Sequence, residues 1–390
     1  MSARRMAGCV ILGLLVTAPP CGAAAVCVTD DWALSRYPPG YKFAFTIVHD
    51  ADSAYSERLR PLFDVFDQLG FKITVTVFTA WADWAHGGAI WARWRSSTDP
   101  GHAFFAPKAV PLADRAEQVF YQQLAARGHE IGLHTPSDTS DSREQVRAAF
   151  EYFKRVFGHY PTVYVEHSAA TNKEALANRG ADPTSPYYCA DLLNQYPAWL
   201  WIDDGGSLPA ARDEHYYEIR PSDAFRNAAA AQRYGTKKAF MRTGRWGHAD
   251  GDGFLDWYSQ EHIDALERDG GAALVYMHLD SRWLDPQTRT MRAPLQDRLR
   301  YLSSKAGWFV PAGEILDRVQ AVEGLRLSCD GPTLRVANTN AQTVDRVVIT
   351  SRTGKGLVRD GRVLQPNAAN QIVIDSVGPL ATLSFEVRQE

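Results

Sequence analysis

A short apolar run that stops abruptly at polar side chains is the feature that most constrains the fold of this 390-residue chain. Residues 43–48 are apolar or β-branched, and His49 and Asp50 follow them at once. Two later runs end in the same way, at His134 and at His278. Continuous apolar runs are typical of parallel strands buried on both faces, and α/β enzymes hold their catalytic groups at the carboxyl ends of such strands. The sequence therefore predicts a parallel β/α enzyme with a site at its strand ends.

Between about residues 40 and 320, strand-like and helix-like segments alternate, which predicts repeated β/α units. No glycine-rich phosphate loop follows the first strand, so a barrel is favoured over an open dinucleotide-binding sheet. Residues 81–111 form an insertion rich in Trp, Gly and Pro, and insertions of that length are often functional. The predicted strands are 42–48, 72–78, 130–133, 162–166, 198–202, 272–277 and 308–310, and the predicted helices are 57–68, 112–126, 142–157, 260–268, 295–304 and 312–320.

After about residue 322 apolar and polar residues alternate, as in strands that bury one face. Turn residues separate the alternating runs, which predicts a small antiparallel domain of five or six strands, sandwich-like in architecture. The predicted division is therefore a barrel domain over residues 26–321 and an all-β domain over residues 322–390. The alternating runs are 325–328, 333–336, 346–349, 371–374 and 382–387.

The first 25 residues are typical of a secretory signal peptide rather than of the fold. Arg4 and Arg5 form a positive segment, Cys9–Ala18 is apolar, and Gly22–Ala25 supplies small residues for cleavage. The apolar segment is too short to span a bilayer comfortably. We therefore expect an exported protein, periplasmic or extracellular, without a stable membrane span.

Cysteine content and charge narrow the function further. Without the signal peptide, Cys27, Cys189 and Cys329 remain, which allows one disulfide and one free thiol without saying which pair is joined. No Cys-x-x-Cys spacing is present, so a thiolate metal site is not favoured. The formal net charge of -3 gives no electrostatic case for binding nucleic acid.

The strand-end motifs resemble those of the polysaccharide deacetylases of the NodB-homology type (carbohydrate esterase family 4), over roughly residues 40–320. The first motif of that family ends a strand with two acids, a catalytic base followed by a metal ligand. Asp50 occupies the ligand position and His49 the position of the base. Some relatives carry His-Asp-Val-Asp at this place, which is similar to the segment from His49 to Asp52. The resemblance implies an irregular (β/α)7 barrel and does not cover the C-terminal β domain.

The second motif of the family is His-Ser/Thr-x-x-His, in which both histidines bind the metal. His134 and Thr135 match it, and Asp138 stands where the second histidine is expected. The strand that matches the third motif lacks the usual Arg and Tyr, and His167 beside it is a candidate replacement ligand. The resemblance thus implies a divalent metal, Zn with Co, Ni or Fe as alternatives, held by Asp50, His134 and either Asp138 or His167.

The remaining motifs imply the other roles. The segment 199–204 resembles the acid-bearing strand of the family and supplies Asp203. His278 matches the histidine of the last motif, the general acid, while His49 or Asp52 is the candidate base. A further pair, Arg242 and Trp246, is expected to wall the substrate pocket.

Together these features predict an enzyme that hydrolyses carbon–nitrogen bonds, removing N-acetyl or less readily O-acetyl groups from a polysaccharide or oligosaccharide. A metal would lower the pKa of its bound water towards ~7 and polarise the carbonyl. Two alternatives stay open. One is a metal-independent glycan hydrolase that pairs Asp50 and Asp52 with Asp203 or Asp204. The other is a catalytically degenerate protein that binds glycan, because the motifs are altered.

Each candidate residue also has a structural interpretation. An Asp after a strand often caps a helix or forms a turn, which applies to Asp50 and to Asp138. Asp203 and Asp204 precede two glycines and fit a turn equally well. His134 and His167 fit packed core histidines as well as metal ligands.

Overall fold

The computed structural model describes residues 27–51, 56–81, 110–203, 228–236, 239–243 and 249–388. The helices are α1 Arg60–Gln68, α2 Arg115–Ala126, α3 Arg143–Phe157, α4 Ala190–Gln195, α5 Ala228–Tyr234, α6 Gly251–Trp257, α7 Gln260–Asp269, α8 Ala293–Ser303 and α9 Ala312–Glu323. Short 3-10 helices span Thr29–Asp31 and Ser56–Leu59, and a π-helix spans Leu176–Gly180. The strands of the first part are β1 Trp32–Ser35, β2 Phe43–Asp50, β3 Thr74–Val77, β4 Glu130–Leu133, β5 Val163–Val165, β6 Trp199–Trp201, β7 Ala239–Phe240, β8 Ala272–Met277 and β9 Gly307–Trp308. Those of the last part are β10 Leu325–Asp330, β11 Thr333–Asn338, β12 Val344–Ser351, β13 Gly356–Arg359, β14 Arg362–Leu364, β15 Gln371–Val377 and β16 Thr382–Arg388.

Seven strands form a curled parallel sheet in the order β7-β6-β5-β4-β3-β2-β8, with β9 paired to β2 beside that path. All the strand pairs along the path are parallel. Thr243, just after β7, forms a parallel bridge with Val275 of β8, so the two ends of the row meet. The backbone N–H of Thr243 donates to Leu274 at 2.8 Å, and that of Tyr276 donates back to Thr243 at 2.8 Å. This architecture confirms the predicted (β/α)7 barrel.

Strand β2 buries both faces, and its alternation separates two layers of core. Phe43, Phe45 and Ile47 belong to the large cluster between the sheet and the surrounding helices, which includes three large apolar residues of α1. Ala44 and Val48 belong instead to the cluster inside the barrel. Even-numbered residues of β2 therefore face inward, and odd-numbered ones face the helices.

Helix α9 closes the amino end of the barrel. Its first backbone nitrogens, those of Ala312 and Gly313, donate to the side chains of Thr74 and Glu130, which begin β3 and β4. Apolar residues of α9 complete the inner cluster. Because this end is filled, the carboxyl ends of the strands are left as the place for a site.

The last part of the chain folds into two antiparallel sheets, β1-β12-β15 and β10-β11-β16-β13-β14. Both sheets contribute to one apolar cluster, as in a sandwich. The hairpin β13–β14 was not predicted. Its turn residues, Asp360 and Gly361, both have positive φ, 50° and 73°. Two left-handed residues of this type are the signature of a tight hairpin turn.

The N-terminal segment joins this sandwich rather than the barrel. β1 pairs with β12 in an antiparallel register, and Cys27 forms a disulfide with Cys329. The predicted barrel domain, residues 26–321, includes β1 and Cys27, because pairing between segments some 300 residues apart leaves no local signal. The boundary near residue 322 stays a prediction; β10 begins at Leu325. Cys189 is the free, buried thiol among the described residues.

Within the described residues, no helix has both the length and the apolar character needed to span a bilayer. The predicted signal peptide, residues 1–25, lies outside the described residues.

Candidate active site

Polar and aromatic side chains line the inward face of the barrel at the carboxyl ends of its strands. Asp50 is two residues beyond Val48, which packs inside the barrel, so it faces inward. The same spacing brings Tyr276 and His278 inward beyond Leu274. The inward-facing set comprises Asp50, Thr76, Phe78, His134, His167, Trp201, Arg242, Tyr276 and His278.

An ion pair between Asp50 and Arg242 forms the floor of this site. Nη1 of Arg242 donates to Oδ1 of Asp50 at 2.7 Å and to Oδ2 at 2.8 Å. The hydroxyl of Thr76 donates to Oδ1 at 2.9 Å. The guanidinium lies between two rings, 3.8 Å from the ring centre of Trp201 and 4.2 Å from that of Tyr276. Both charged side chains are almost fully buried, so removal of either would leave a buried charge without its counter-ion.

The carboxyl of Asp50 is held in its ionised form. Burial alone would raise its pKa, but the charges of Arg242, His134 and His278 and the hydrogen bond from Arg242 outweigh burial and hold the pKa below its ordinary value. Asp50 is therefore a carboxylate at every pH near neutrality.

His134 stands beside this carboxylate with a fixed tautomer. Its Nδ1–H donates to the carbonyl oxygen of Val165 at 3.0 Å, because a carbonyl can only accept. Its Nε2 lies 3.9 Å from Oδ2 of Asp50. Phe78 stacks on the ring, with ring centres 5.0 Å apart. The imidazole is thus packed and oriented towards Asp50.

A second imidazole–carboxylate pair lies next to the first. Nε2 of His167 is 3.7 Å from Oδ1 of Asp138, and the rings of His134 and His167 are 5.2 Å apart. Nδ1 of His167 lies 3.2 Å from Oδ1 of Asn172, whose amide nitrogen donates to Thr139 at 2.8 Å. Buried Asn172 thereby ties the loop that carries Asp138 to the loop that carries His167.

These distances test the predicted metal ligands. The four residues form two pairs, Asp50 with His134 and Asp138 with His167, and Arg242 engages both oxygens of Asp50. Within the described ranges, no three His, Cys, Asp or Glu side chains lie close enough together to hold a metal ion. The described residues therefore do not fit a complete metal centre.

His278 lies at the mouth of the barrel together with a tyrosine. Its Nε2 is 2.7 Å from the hydroxyl of Tyr276, and both side chains are partly exposed. The backbone N–H of His278 donates to Ala249 at 2.7 Å, which fixes the strand end. His278 is near enough to Asp50 for its charge to lower the pKa of that carboxyl. A histidine at the mouth thus lies near a carboxylate at the floor.

His49 lies on the opposite face of β2 from Asp50. It is 1% exposed, and its Nδ1 lies 3.2 Å from the backbone nitrogen of Leu279 and 3.3 Å from the carbonyl oxygen of Met277. Neighbouring residues of a strand point to opposite faces, so the structure does not bring His49 to the inward-facing set. Its Nδ1 instead lies beside the backbone on both sides of His278, where it either accepts from Leu279 or donates to Met277 according to the tautomer.

Asp203 supports a loop. Its Oδ2 accepts from the backbone nitrogen of Ala169 at 2.8 Å, and its own backbone nitrogen donates to Glu166 at 3.0 Å. The candidates Asp52, Asp204 and Trp246, and most of the 81–111 insertion, lie outside the described residues.

Buried acids support the site from behind. Glu174 accepts from the backbone nitrogen of Asp141 and from the amide of Asn172, both at 2.9 Å. Burial raises the pKa of Glu174 to about 7 and that of Asp141 to about 6. Burial also raises the pKa of Glu166, whose oxygens accept from two backbone nitrogens. These side chains position the loops after β4 and β5.

Five residues of the site were missed by the sequence prediction: Thr76, Phe78, Trp201, Tyr276 and Asn172. Tyr276 had a usable signal, because it stands two residues before His278 and shares its face. Thr76 lies on β3 and Trp201 on β6, and both join the site because these strands pair with segments far away in sequence. Asn172 lies in the loop after β5. No local sequence pattern therefore identifies these three residues as part of the site.

No protein-family model and no curated protein sequence matches the chain. Among solved structures, the probable polysaccharide deacetylase of Pseudomonas aeruginosa PAO1 is similar at 12% identity and a TM-score of 0.42, over 73% of this chain and 93% of that one. The Puue allantoinase is similar at 12% identity and a TM-score of 0.41, over 74% and 94%. The peptidoglycan deacetylase PdaC of Bacillus subtilis is similar at 9% identity and a TM-score of 0.33, over 73% and 95%. At these values the likeness carries no argument about activity.

Proposed function

We propose that this protein is a hydrolase that removes acetyl groups from a carbohydrate, cleaving the C–N bond of N-acetylated amino sugars and, less readily, O-acetyl esters. The observation that carries the proposal is the inward-facing pair of an ionised Asp50 and a partly exposed His278 at the carboxyl ends of β2 and β8. Hydrolysis of an amide needs a group that accepts a proton from water and a group that gives one to the leaving amine.

Asp50 is the proton acceptor in this proposal, in place of His49. The carboxylate is already ionised, so it can take a proton from the attacking water without first losing one. It also lies on the face of β2 that lines the barrel, whereas His49 is turned towards the helices. As the water oxygen bonds to the carbonyl carbon, its proton passes to Asp50.

His278 is the source of the proton for the leaving group. In its protonated form His278 supplies that proton from the mouth of the barrel, where its side chain is partly exposed. When the C–N bond breaks, the amine nitrogen gains that proton, and the products are acetate and a free amino sugar. Arg242, buried between Trp201 and Tyr276, keeps the Asp50 carboxylate in place.

No step of this mechanism uses a metal ion, because the described residues form no three-ligand group. The metal that the sequence resemblance implies stays a prediction, to be tested by elemental analysis. If this prediction holds, elemental analysis finds about one transition metal per chain in the wild type and loss of that metal in His134→Ala. An active wild-type protein without bound metal would contradict it.

Product analysis on a panel of oligosaccharides tests the proposed function. N-acetylated and O-acetylated oligosaccharides are incubated with the wild-type protein, and both released acetate and new reducing ends are measured. We expect acetate without new reducing ends. New reducing ends without acetate would indicate the glycan hydrolase alternative, and binding without either product would indicate a glycan-binding protein.

A further inference from the structure

We propose that Tyr276 is a catalytic residue of this site, and that its hydroxyl passes the proton of His278 to the leaving amine. This inference rests on the proposed function and adds to it a residue that the sequence motifs do not assign. It starts from the 2.7 Å separation between the hydroxyl of Tyr276 and Nε2 of His278.

The position of Tyr276 suits that role. Residues 276 and 278 stand on the same inward face of β8 and its extension, and both are partly exposed, whereas Asp50 below them is buried. The ring nitrogen of His278 that would protonate a leaving group is directed at the tyrosine oxygen. A proton that leaves Nε2 therefore meets the Tyr276 oxygen before it reaches a substrate at the mouth.

The surroundings also favour proton transfer through this oxygen. The guanidinium of Arg242 lies 4.2 Å from the ring centre of Tyr276. A positive charge over the ring stabilises negative charge that develops on the phenol during the transfer. Asp50 in turn fixes Arg242. The Arg242 guanidinium therefore contacts both the proposed proton acceptor, Asp50, and the proposed proton donor, Tyr276.

The transfer balances in one step. The O–H bond of Tyr276 breaks as its proton bonds to the amine nitrogen, and the Nε2–H bond of His278 breaks as that proton restores the tyrosine hydroxyl. The electron pair of the C–N bond stays with the nitrogen. At the end Tyr276 is unchanged and His278 is neutral, ready to be protonated by solvent.

A comparison of two leaving groups tests this assignment. An amide leaves only when its nitrogen is protonated, whereas 4-nitrophenolate leaves without a proton. The variant Tyr276→Phe removes one oxygen and keeps the ring that stacks on Arg242. We expect kcat for an N-acetylated oligosaccharide to fall about 100-fold or more, as for loss of a general acid, while 4-nitrophenyl acetate is hydrolysed within about threefold of the wild-type rate.

The matched control is Tyr258→Phe, because Tyr258 is buried in the cluster between sheet and helices and its hydroxyl lies near Thr243. We expect wild-type rates on both substrates in this control. Equal losses on amide and ester in Tyr276→Phe would assign a merely structural role to Tyr276, and unchanged rates on both would likewise overturn the proposal.

A spectroscopic readout separates this inference from the proposed function. The ¹⁵N NMR shift of Nε2 of His278, assigned by comparison with His278→Asn, is expected to change in Tyr276→Phe because its hydrogen-bond partner is removed. An unchanged shift would overturn the pairing itself. If the wild type releases no acetate from any substrate, the proposed function fails, and the proton transfer is overturned with it whatever the shift shows.

Discussion

The buried ion pair of Asp50 and Arg242 determines what the site can do. Asp50 ends β2 and Arg242 follows β7, near opposite ends of the sheet order, and the two are 192 residues apart in sequence. Both side chains are almost fully buried, so each charge depends largely on the other for its solvation. The sequence marks both residues as candidates, but only the barrel brings them together.

We expect Asp50→Asn to destabilise the fold by about 3–5 kcal/mol, because it leaves the Arg242 guanidinium buried without a counter-ion. Arg242→Met in the same chain should restore part of the loss, since the charge and its solvation cost are removed together. Urea denaturation of the two single variants and the double variant measures the coupling. Strictly additive effects would contradict a direct pair.

Asp297→Asn is the matched control for this cycle. Asp297 pairs with Arg300 on the exposed face of α8, where both side chains are more than half exposed. Exposed pairs contribute about 0–1 kcal/mol, so the same substitution there should have little effect.

At the scale of elements, two loops and one acidic cluster hold the imidazoles of the site. The loop after β4 carries Asp138 and the loop after β5 carries His167, and Asn172 and Glu174 connect the two. Helix α3, which follows the first loop, begins with a capping box at Ser142. The position of the second imidazole therefore depends on buried hydrogen bonds behind it.

The pH dependence of stability tests that cluster. In the folded state burial raises the pKa of Glu174 from 4.5 to about 7. The folded form then binds the proton more tightly than the unfolded form, so this contribution to stability is complete below about pH 4.5 and is lost as the pH rises through about 7. We expect the wild type to lose about 3 kcal/mol more than Glu174→Gln between pH 4.5 and pH 8.

Urea denaturation at several pH values measures this difference. Glu151→Gln, the same substitution at an exposed position of α3, is the control and should follow the wild type at every pH. Parallel stability curves for the wild type and Glu174→Gln would show that Glu174 is not buried in this way.

The helices and strands also show which element bounds can be predicted from a sequence pattern. Apolar runs predicted β4 and β8 at their observed bounds, and helical spacing placed α3 within one residue, because these elements bury their own periodic faces. The short strand β7 was missed, since two residues carry no period. The run before His49 and Asp50 placed both at a strand end without saying which residue faces the barrel interior.

At the scale of the molecule, the first described strand packs with the C-terminal part of the chain. The N-terminal strand β1 adds to the C-terminal sandwich, and the disulfide between Cys27 and Cys329 links segments 302 residues apart. Helix α9 connects the two parts: Asp317 accepts from Trp199 of the barrel, and Arg318 donates to the carbonyl oxygen of Asp345 in the sandwich. The sandwich is thereby attached at the amino end of the barrel, away from the candidate site.

We expect the double variant Cys27→Ser and Cys329→Ser to be less stable by about 2–4 kcal/mol, because the cross-link restricts the unfolded chain over a long loop. Thermal unfolding with and without a reducing agent measures the effect. Reduction should lower the Tm of the wild type towards that of the variant and leave the variant unchanged. Equal Tm values for the two oxidised proteins would contradict a stabilising role.

The most direct test of the account compares kcat for acetate release between variants of the two faces of the barrel wall. Asp50→Asn and His278→Asn change the inward face, while His49→Asn changes the outward face and keeps an oxygen that can accept from the backbone N–H of Leu279. With folding checked by urea denaturation, we predict losses of about 100-fold or more for the two inward variants and less than about tenfold for His49→Asn. A large loss in His49→Asn with near-normal rates in Asp50→Asn would place the proton acceptor on the other face and contradict the account.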